Sequence, residues 1–303
     1  MDKPFVRILV WLALMAVLTM PAIGIWLLAG GDTQSVTSLK WFQFLQTVAT
    51  FLLPAILGAW LWSSDHRPFR WLRLTNQHSA FSIQKSAITN HQSQIIIVAV
   101  VTMICALPAI NLLADLNSRV VLPECMASLE AVFRAQEDAA AQLTERFLQA
   151  DNLGVLLINI GLMALLPALA EEVSFRGTLQ QILSYSRRRS AIAIWITAIV
   201  FSAIHMQFYG FIPRMLMGAM FGYVFVWTGN LWIPILMHAT NNTIAVISYF
   251  VASRTEAGRE LLANDQSWAD TIGTGPMWWL GVLSLLLTLG LLYYLRRLCT
   301  AAD

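Results

Sequence analysis

Long apolar runs separated by short polar stretches dominate the chain. A bilayer core takes about 20 mostly apolar residues per helix, because in lipid the backbone must satisfy its own hydrogen bonds. Eight stretches meet that requirement, at approximately 5–30, 41–64, 94–115, 153–185, 190–207, 211–228, 231–252 and 277–296. The fourth is long enough to project from a membrane, and the sixth is marginal in length. The pattern predicts an all-α, polytopic membrane helix bundle of about eight transmembrane helices. No internal repeat or low-complexity linker divides it, so residues 1–303 read as a single membrane domain.

The first run, from Ile8 to Gly30, follows Lys3 and Arg7 and superficially looks like a signal peptide. It exceeds the length of a signal h-region and no small-residue cleavage site ends it, so it reads as a retained first transmembrane helix. Between the runs, segment 116–152 carries Met126, Leu129, Phe133, Leu143 and Phe147 at helical spacing among charged residues. This is an amphipathic helix that lies either on the membrane surface or against the other helices. Segment 65–92 places Trp71, Leu72 and Leu74 among arginines, which suits contact with anionic headgroups.

Composition agrees with lipid as the main solvent. Of 303 residues, 57% are hydrophobic and 12% charged, about half the charge density of an average soluble domain, and the mean hydropathy is +0.63. The 12 tryptophans suit interfacial anchoring. A net charge of +2, scattered along the chain, excludes a nucleic-acid partner. Cys105, Cys125 and Cys299 form neither a zinc spacing nor an even disulfide set and read as packing residues.

The basic residues set the orientation, since short cytoplasmic loops collect Lys and Arg. With the N-terminus inside, Arg67, Arg70, Arg73 and Lys85, then Arg187, Arg188 and Arg189, then Arg296 and Arg297 all fall on one side. The opposite loops are acidic or mixed, with Glu124, Glu130, Glu137, Asp138, Glu145 and Asp151 in one and Glu256, Glu260, Asp265 and Asp270 in the other. An odd number of crossings would break this asymmetry, so both termini are expected to be cytoplasmic.

Ionisable groups inside a bilayer cost several kcal/mol each, roughly, and mark functional candidates. Glu171, Glu172 and Arg176 follow an uncharged run from Leu153 to Ala170. Glu172 and Arg176 stand four residues apart on one helix face and can pair. Glu171 points about 100° away and is left free to act. His205 ends the next apolar run, and His238 and Asn242 share one face of the stretch from Leu231 to Val251. Their depths agree. Glu172 lies 16 residues before Arg188 and His205 lies 17 after it, while His238 and Asn242 sit about 13 to 18 Å beyond the Gly229–Asn230 turn.

A carboxylate, two imidazoles and an amide suit water activation, with the carboxylate taking the proton and neutral donors holding the oxyanion. No serine or cysteine has nucleophile-elbow or papain-like context, Ser174 and Ser202 included. The same residues also fit a metal variant in which Glu171, His205 and His238 bind zinc and leave a position for water. The zincin sequence His-Glu-x-x-His is absent. Spacing fits both a carboxylate-held and a metal-held water.

Taken together, Glu171-Glu172-x-x-x-Arg176, Phe201-x-x-x-His205 and His238-x-x-x-Asn242 resemble the three ordered motifs of the CAAX-protease and bacteriocin-processing family, which includes the eukaryotic type II CAAX prenyl endopeptidase. The resemblance covers 153–252, including Gly218, Gly222 and the Asn230–Ile235 lead-in to the third motif. It implies an eight-helix intramembrane peptidase in a bacterial inner (plasma) membrane with a peptide or membrane-protein substrate. Glu171 and His205 would activate water, and His238 and Asn242 would hold the oxyanion or contribute to metal binding. Two other readings use the same residues: a proton- or ion-coupled transporter, against which the missing inverted repeat counts, and a non-catalytic immunity or scaffold protein.

Overall fold

A computed structural model describes residues 3–75, 87–184, 190–263 and 272–300. Lys85, Arg187, Arg188, Arg189, Asp265 and Asp270, used above to orient the chain, lie outside the described residues. The described chain is an all-α bundle. Its helices are α1 (Pro4–Leu28), α2 (Val36–Trp62), the short α3 (Pro68–Trp71), α4 (Ala87–Ser118), α5 (Ala127–Leu148), α6 (Leu153–Leu183), α7 (Ser190–Ala203), α8 (Phe211–Thr228), α9 (Trp232–Ala252), α10 (Glu256–Ala263) and α11 (Trp278–Thr300).

Among the described residues, seven helices are long and apolar enough to cross a membrane. The fifth expected span is the exception. Its helix α7 has 14 residues and stops at Ala203 instead of running to 207. There the backbone turns out of the helix, with Met206 in the left-handed region at φ 54°, and Gly210 leads into α8.

Local sequence explains several features of the long helices. Ser35 and Asn152 cap α2 and α6 by accepting from the backbone N–H three residues on, at 3.3 and 3.1 Å. Prolines 54 and 167 lack the N–H that an α-helix needs, and each follows a π-helical turn, Val48–Leu52 and Ile160–Leu165, that widens the backbone ahead of it. In α4, Pro108 breaks the ladder and the Ser284 hydroxyl of α11 inserts there. It donates to Cys105 O and accepts from Ala109 N at 3.1 Å.

Small residues let the helices approach. Ala55, Ala59, Ala164, Ala168, Ala170 and Ala198 are completely buried, as expected where lipid gives no hydrophobic drive and close packing must hold helices together. Large apolar side chains such as Leu9, Leu157, Leu283 and Leu286 face outward, as a lipid-facing rim requires.

Two loop expectations change. Leu72 does not lie on headgroups. It is completely buried against Ala55, Ala59, Phe225, Leu231 and Ile235, in a gap left by Gly177, where a Cβ would come within 3.0 Å of Leu231 and 3.1 Å of Leu72. Cys125 is exposed and packs nothing. The amphipathic segment is helical as its spacing predicts, and part of it docks on the protein. Phe133 stacks on Phe208 at 5.0 Å, the Arg134 guanidinium lies 4.3 Å over the Tyr209 ring, and Phe147 is buried. Leu129, Val132 and Leu143 stay exposed. The Leu122 N–H and the Arg134 guanidinium hold the Glu130 carboxyl below the usual range.

One buried cation escaped the sequence reading. Lys40 in α2 donates to Asn159 Oδ1 of α6 at 2.6 Å, and Asn159 Nδ2 donates to Leu148 O at 3.1 Å. The amide thus ties two spanning helices to the end of α5.

The glycines of α8 stand where α6 and α7 approach it closely. A Cβ on Gly222 would meet Gln180 Oε1 at 2.7 Å and Ile194 Cγ2 at 2.9 Å, whereas one on Gly24 would meet nothing within 4 Å. Gly222→Val is therefore expected to destabilise the fold by about 1–3 kcal/mol, read as a lower thermal midpoint in detergent. Gly24→Ala should leave that midpoint unchanged, and equal midpoints for the two variants would contradict the packing.

Candidate active site

The site begins with a helix that changes pitch. Leu166–Ser174 is α-helical and carries both glutamates, and Phe175–Gln180 is a π-helical turn that carries Arg176. Such turns recur at functional sites because they re-aim side chains within a continuous helix. Glu172 and Arg176 form the pair their spacing predicts, with Arg176 Nη1 donating to Glu172 Oε1 at 2.7 Å and both side chains fully buried. Arg176 Nη2 donates to Gly218 O of α8 at 2.8 Å. Its guanidinium lies 4.6 Å over the Phe201 ring and 5.5 Å over Phe221, a favourable use of aromatic faces once water is excluded.

Glycine makes this contact possible. A Cβ at position 218 would come within 3.2 Å of both Arg176 Nη2 and Phe201. One turn along, Gln180 Nε2 donates to Gly222 O at 3.1 Å. Successive turns of α6 thus bond to successive turns of α8 through its two glycines.

His238 of α9 completes the group. Its Nδ1 lies 2.9 Å from Glu172 Oε1, and its ring stacks on Phe221 at 5.4 Å and meets Phe201 edge-on at 6.0 Å. Glu172 is paired with Arg176 and accepts, so Nδ1 carries the proton and Nε2 is the free nitrogen. That nitrogen faces Glu171, whose Oε2 is 4.0 Å away. Glu171 keeps 15% of its side chain exposed, against 0% for Glu172. Adjacent acids therefore occupy different settings, one neutralised on two sides and one partly exposed.

His205 lies just past the end of α7. Its Nδ1 donates to Phe201 O at 2.8 Å, and its ring packs edge-on against Phe201 at 5.2 Å. This bond fixes the tautomer, leaving Nε2 as an acceptor. Phe201 touches Arg176, His205 and His238, and Phe175 packs on it at 5.3 Å, so the depths inferred from residue counts agree. Asn242, one turn beyond His238, accepts from Asn241 Nδ2 at 3.1 Å and makes no hydrogen bond to the carboxylate group among the described residues. Both serines weighed earlier are committed to backbone carbonyls, Ser174 to Phe51 O at 3.2 Å and Ser202 to Phe211 O at 2.7 Å.

Arg214, in the first turn of α8, was missed in the sequence because it sits inside an apolar run. Its Nη2 donates to Gln207 Oε1 at 2.6 Å, and its charge acts on Glu171, His205 and Glu137. An arginine in so apolar a stretch was itself the available signal.

Zinc would call on Glu171, His205 and His238. Among the described residues, no three His, Cys, Asp or Glu side chains are grouped so as to hold a metal ion, while the contact of His238 Nδ1 with Glu172 leaves its Nε2 available to a ligand.

Comparison with known proteins places this constellation. Residues 153–244 match the family Type II CAAX prenyl endopeptidase Rce1-like. The match contains all three motifs and stops short of half the chain. Within the Rce1-like region, the buried pairing of His238 with Glu172 is consistent with a catalytic site. The Bacillus subtilis (strain 168) protein "Uncharacterized protein YpbD" is 32% identical over 84 residues, which is 26% of this chain and 40% of that protein's length. No solved structure matches.

The Glu172–Arg176 pair can be tested by stability. Removing one partner of a buried ion pair costs about 3–5 kcal/mol, so Glu172→Gln and Arg176→Met should each lower the denaturation midpoint of the bundle sharply. Glu172→Gln/Arg176→Met together should lose less than the sum, with a coupling of about 0.5–3 kcal/mol. Strictly additive losses would mean the two groups are not energetically joined.

Proposed function

We propose that this chain is an intramembrane endopeptidase that hydrolyses a peptide bond of a hydrophobic or membrane-associated substrate with a water activated by Glu171 and His205. The observation that supports it best is the inequality of the two neighbouring carboxylates. Glu172 is neutralised by Arg176 and His238, while Glu171 remains partly accessible beside His238 Nε2.

In this reading His205 Nε2 and Glu171 accept the two hydrogens of the water, and Glu171 takes the proton as oxygen attacks the carbonyl carbon. The oxyanion is held by the Asn242 amide N–H and by His238, whose Nε2 receives that same proton from the neighbouring Glu171 carboxyl. The Glu172 carboxylate behind Nδ1 stabilises that charged ring. The proton returns to the departing nitrogen as the C–N bond breaks, giving a carboxylic acid and an amine. Arg176 acts as a positioning residue, since it touches Glu172, the α8 backbone and the faces of Phe201 and Phe221, and neither of the groups assigned to the water. The catalytic core is residues 153–252 of one membrane domain. With α7 counted as a crossing there are eight, both termini are cytoplasmic, and the setting is a bacterial inner membrane.

The test is cleavage of hydrophobic membrane peptides by purified protein. Loss of a positioned acid or base removes about 10²–10⁴-fold in rate, the expectation for Glu171→Gln, His205→Ala and His238→Ala in folded protein. Undiminished cleavage by all three would sink the assignment. Activity abolished by a chelator and restored by zinc alone would replace the carboxylate-held water with a metal-held one. A Glu171-dependent proton flux in liposomes without proteolysis would favour a transporter.

A further inference from the structure

Two arginines stand in apolar helices, Arg176 fully buried and Arg214 half-buried, and they are treated differently. Arg176 has a carboxylate at 2.7 Å, a backbone carbonyl at 2.8 Å and two aromatic faces. Arg214 has one neutral acceptor, Gln207 Oε1, and its buried Nη1 has no hydrogen-bond partner among the described residues. Glu137 and Glu171 are within electrostatic reach of it, yet neither closes to an ion pair. Glu137 Oε2 accepts from Tyr209 N at 3.2 Å instead. Those carboxylates offset the charge at a distance and leave Nη1 without an acceptor.

Helix stability does not account for this residue. A cation in the first turn of α8 stands at the end where the helix dipole disfavours positive charge. A guanidinium in so apolar a stretch is costly unless paired. Gly210 also makes room for it, since a Cβ there would lie 3.0 Å from Arg214 Nη2. The unpartnered donor is placed toward the site by its neighbours: Gln207, which Arg214 holds, stands two residues past His205, and Gly218, one turn along α8, takes Arg176, and the charge of Arg214 acts on both Glu171 and His205.

We propose that Arg214 is a specificity-determining residue that receives a carboxylate of the bound peptide, close to the scissile bond, through its uncommitted guanidinium nitrogen. This deepens the hydrolytic reading and rests on it for the word scissile. A planar fork with a free N–H matches a carboxylate better than any neutral group. The carboxylate can belong to the peptide's C-terminus or to an acidic side chain.

Three probes separate these sources in a direct binding measurement on purified full-length protein: N-acetyl-Leu-Leu-Phe as the free acid, the same peptide as its C-terminal amide, and the amidated peptide with aspartate in place of its second leucine. The free acid should bind the wild type about tenfold or more tighter than the amide. Arg214→Gln should abolish that preference, and Arg214→Lys should restore part of it. Equal tight binding of the aspartate peptide identifies any nearby carboxylate as sufficient, and weak binding of it identifies the C-terminus. A wild type that shows no acid preference, including one that binds none of the three, overturns the proposal, and so does a preference that survives in folded Arg214→Gln. Acid-selective binding without cleavage of longer peptides would defeat the hydrolytic reading and leave the carboxylate site standing. Cleavage without acid preference would defeat the site alone.

Discussion

A buried charge has to find its whole solvation shell within the protein, and that demand on Arg176 and Glu172 organises the centre of this molecule. The desolvation of two ions exceeds what their mutual attraction returns unless further hydrogen bonds and favourable surfaces complete them. Here the completion comes from three other elements. Helix α8 offers a carbonyl at Gly218, α7 offers the face of Phe201, and α9 offers His238. Each would fail if the backbones stood further apart, so the glycines of α8 and the buried alanines are conditions for the ion pair as well as for packing. The π-helical turn belongs to the same set of conditions, because it carries the arginine just beyond the last α-helical turn of the glutamates.

That network also separates the chemistry of two acids that differ by one position. Were both carboxylates equally exposed, each would repel the other and neither would have a defined role. Committing Glu172 to a guanidinium and an imidazole ties down one charge and orients His238, whose remaining nitrogen then points to Glu171. The structural pair and the reactive pair share His238, so a change meant to affect only stability at Glu172 also alters the ring beside Glu171. Charge in the site is thus inseparable from its architecture.

What could be read from the sequence follows the range of the interactions. Glu172 and Arg176 are four residues apart on one helix, and a local rule foresees their bond. Agreement in depth among Glu171, His205 and His238 follows from counting rise per residue along antiparallel helices, and Phe201 meets three of the site's side chains as that count requires. The stop of α7 at Ala203 was not legible, since hydropathy continues past it and only the turn at Met206 ends the helix. Leu72 was misassigned because its arginine neighbours dominate the local pattern, whereas its burial depends on a space left at Gly177, about a hundred residues on. The Lys40–Asn159 bond spans 119 residues, and no local rule reaches that far. Arg214 was available as a charge in an apolar run and was absorbed into the helix that holds it.

The site draws on two kinds of support that differ in rigidity. Glu171, Glu172, Arg176 and His238 stand on long helices whose backbone bonds are satisfied internally. His205 and Gln207 stand on the irregular turn between α7 and α8, and that turn is held by side chains of α5 and α4. Phe133, Arg134 and Glu137 of α5 hold it through Phe208, the Tyr209 ring and the Tyr209 N–H. Asn117 at the end of α4 adds two further bonds, donating to Phe208 O at 3.1 Å and accepting from Ile212 N at 3.0 Å. The half of the site bearing His205 and the Gln207 partner of Arg214 therefore takes its position in part from the amphipathic helix. An otherwise charged and solvent-rich segment of 22 residues therefore has a structural reason to be attached to an apolar bundle: together with Asn117 of α4 it holds the turn that carries His205 and Gln207.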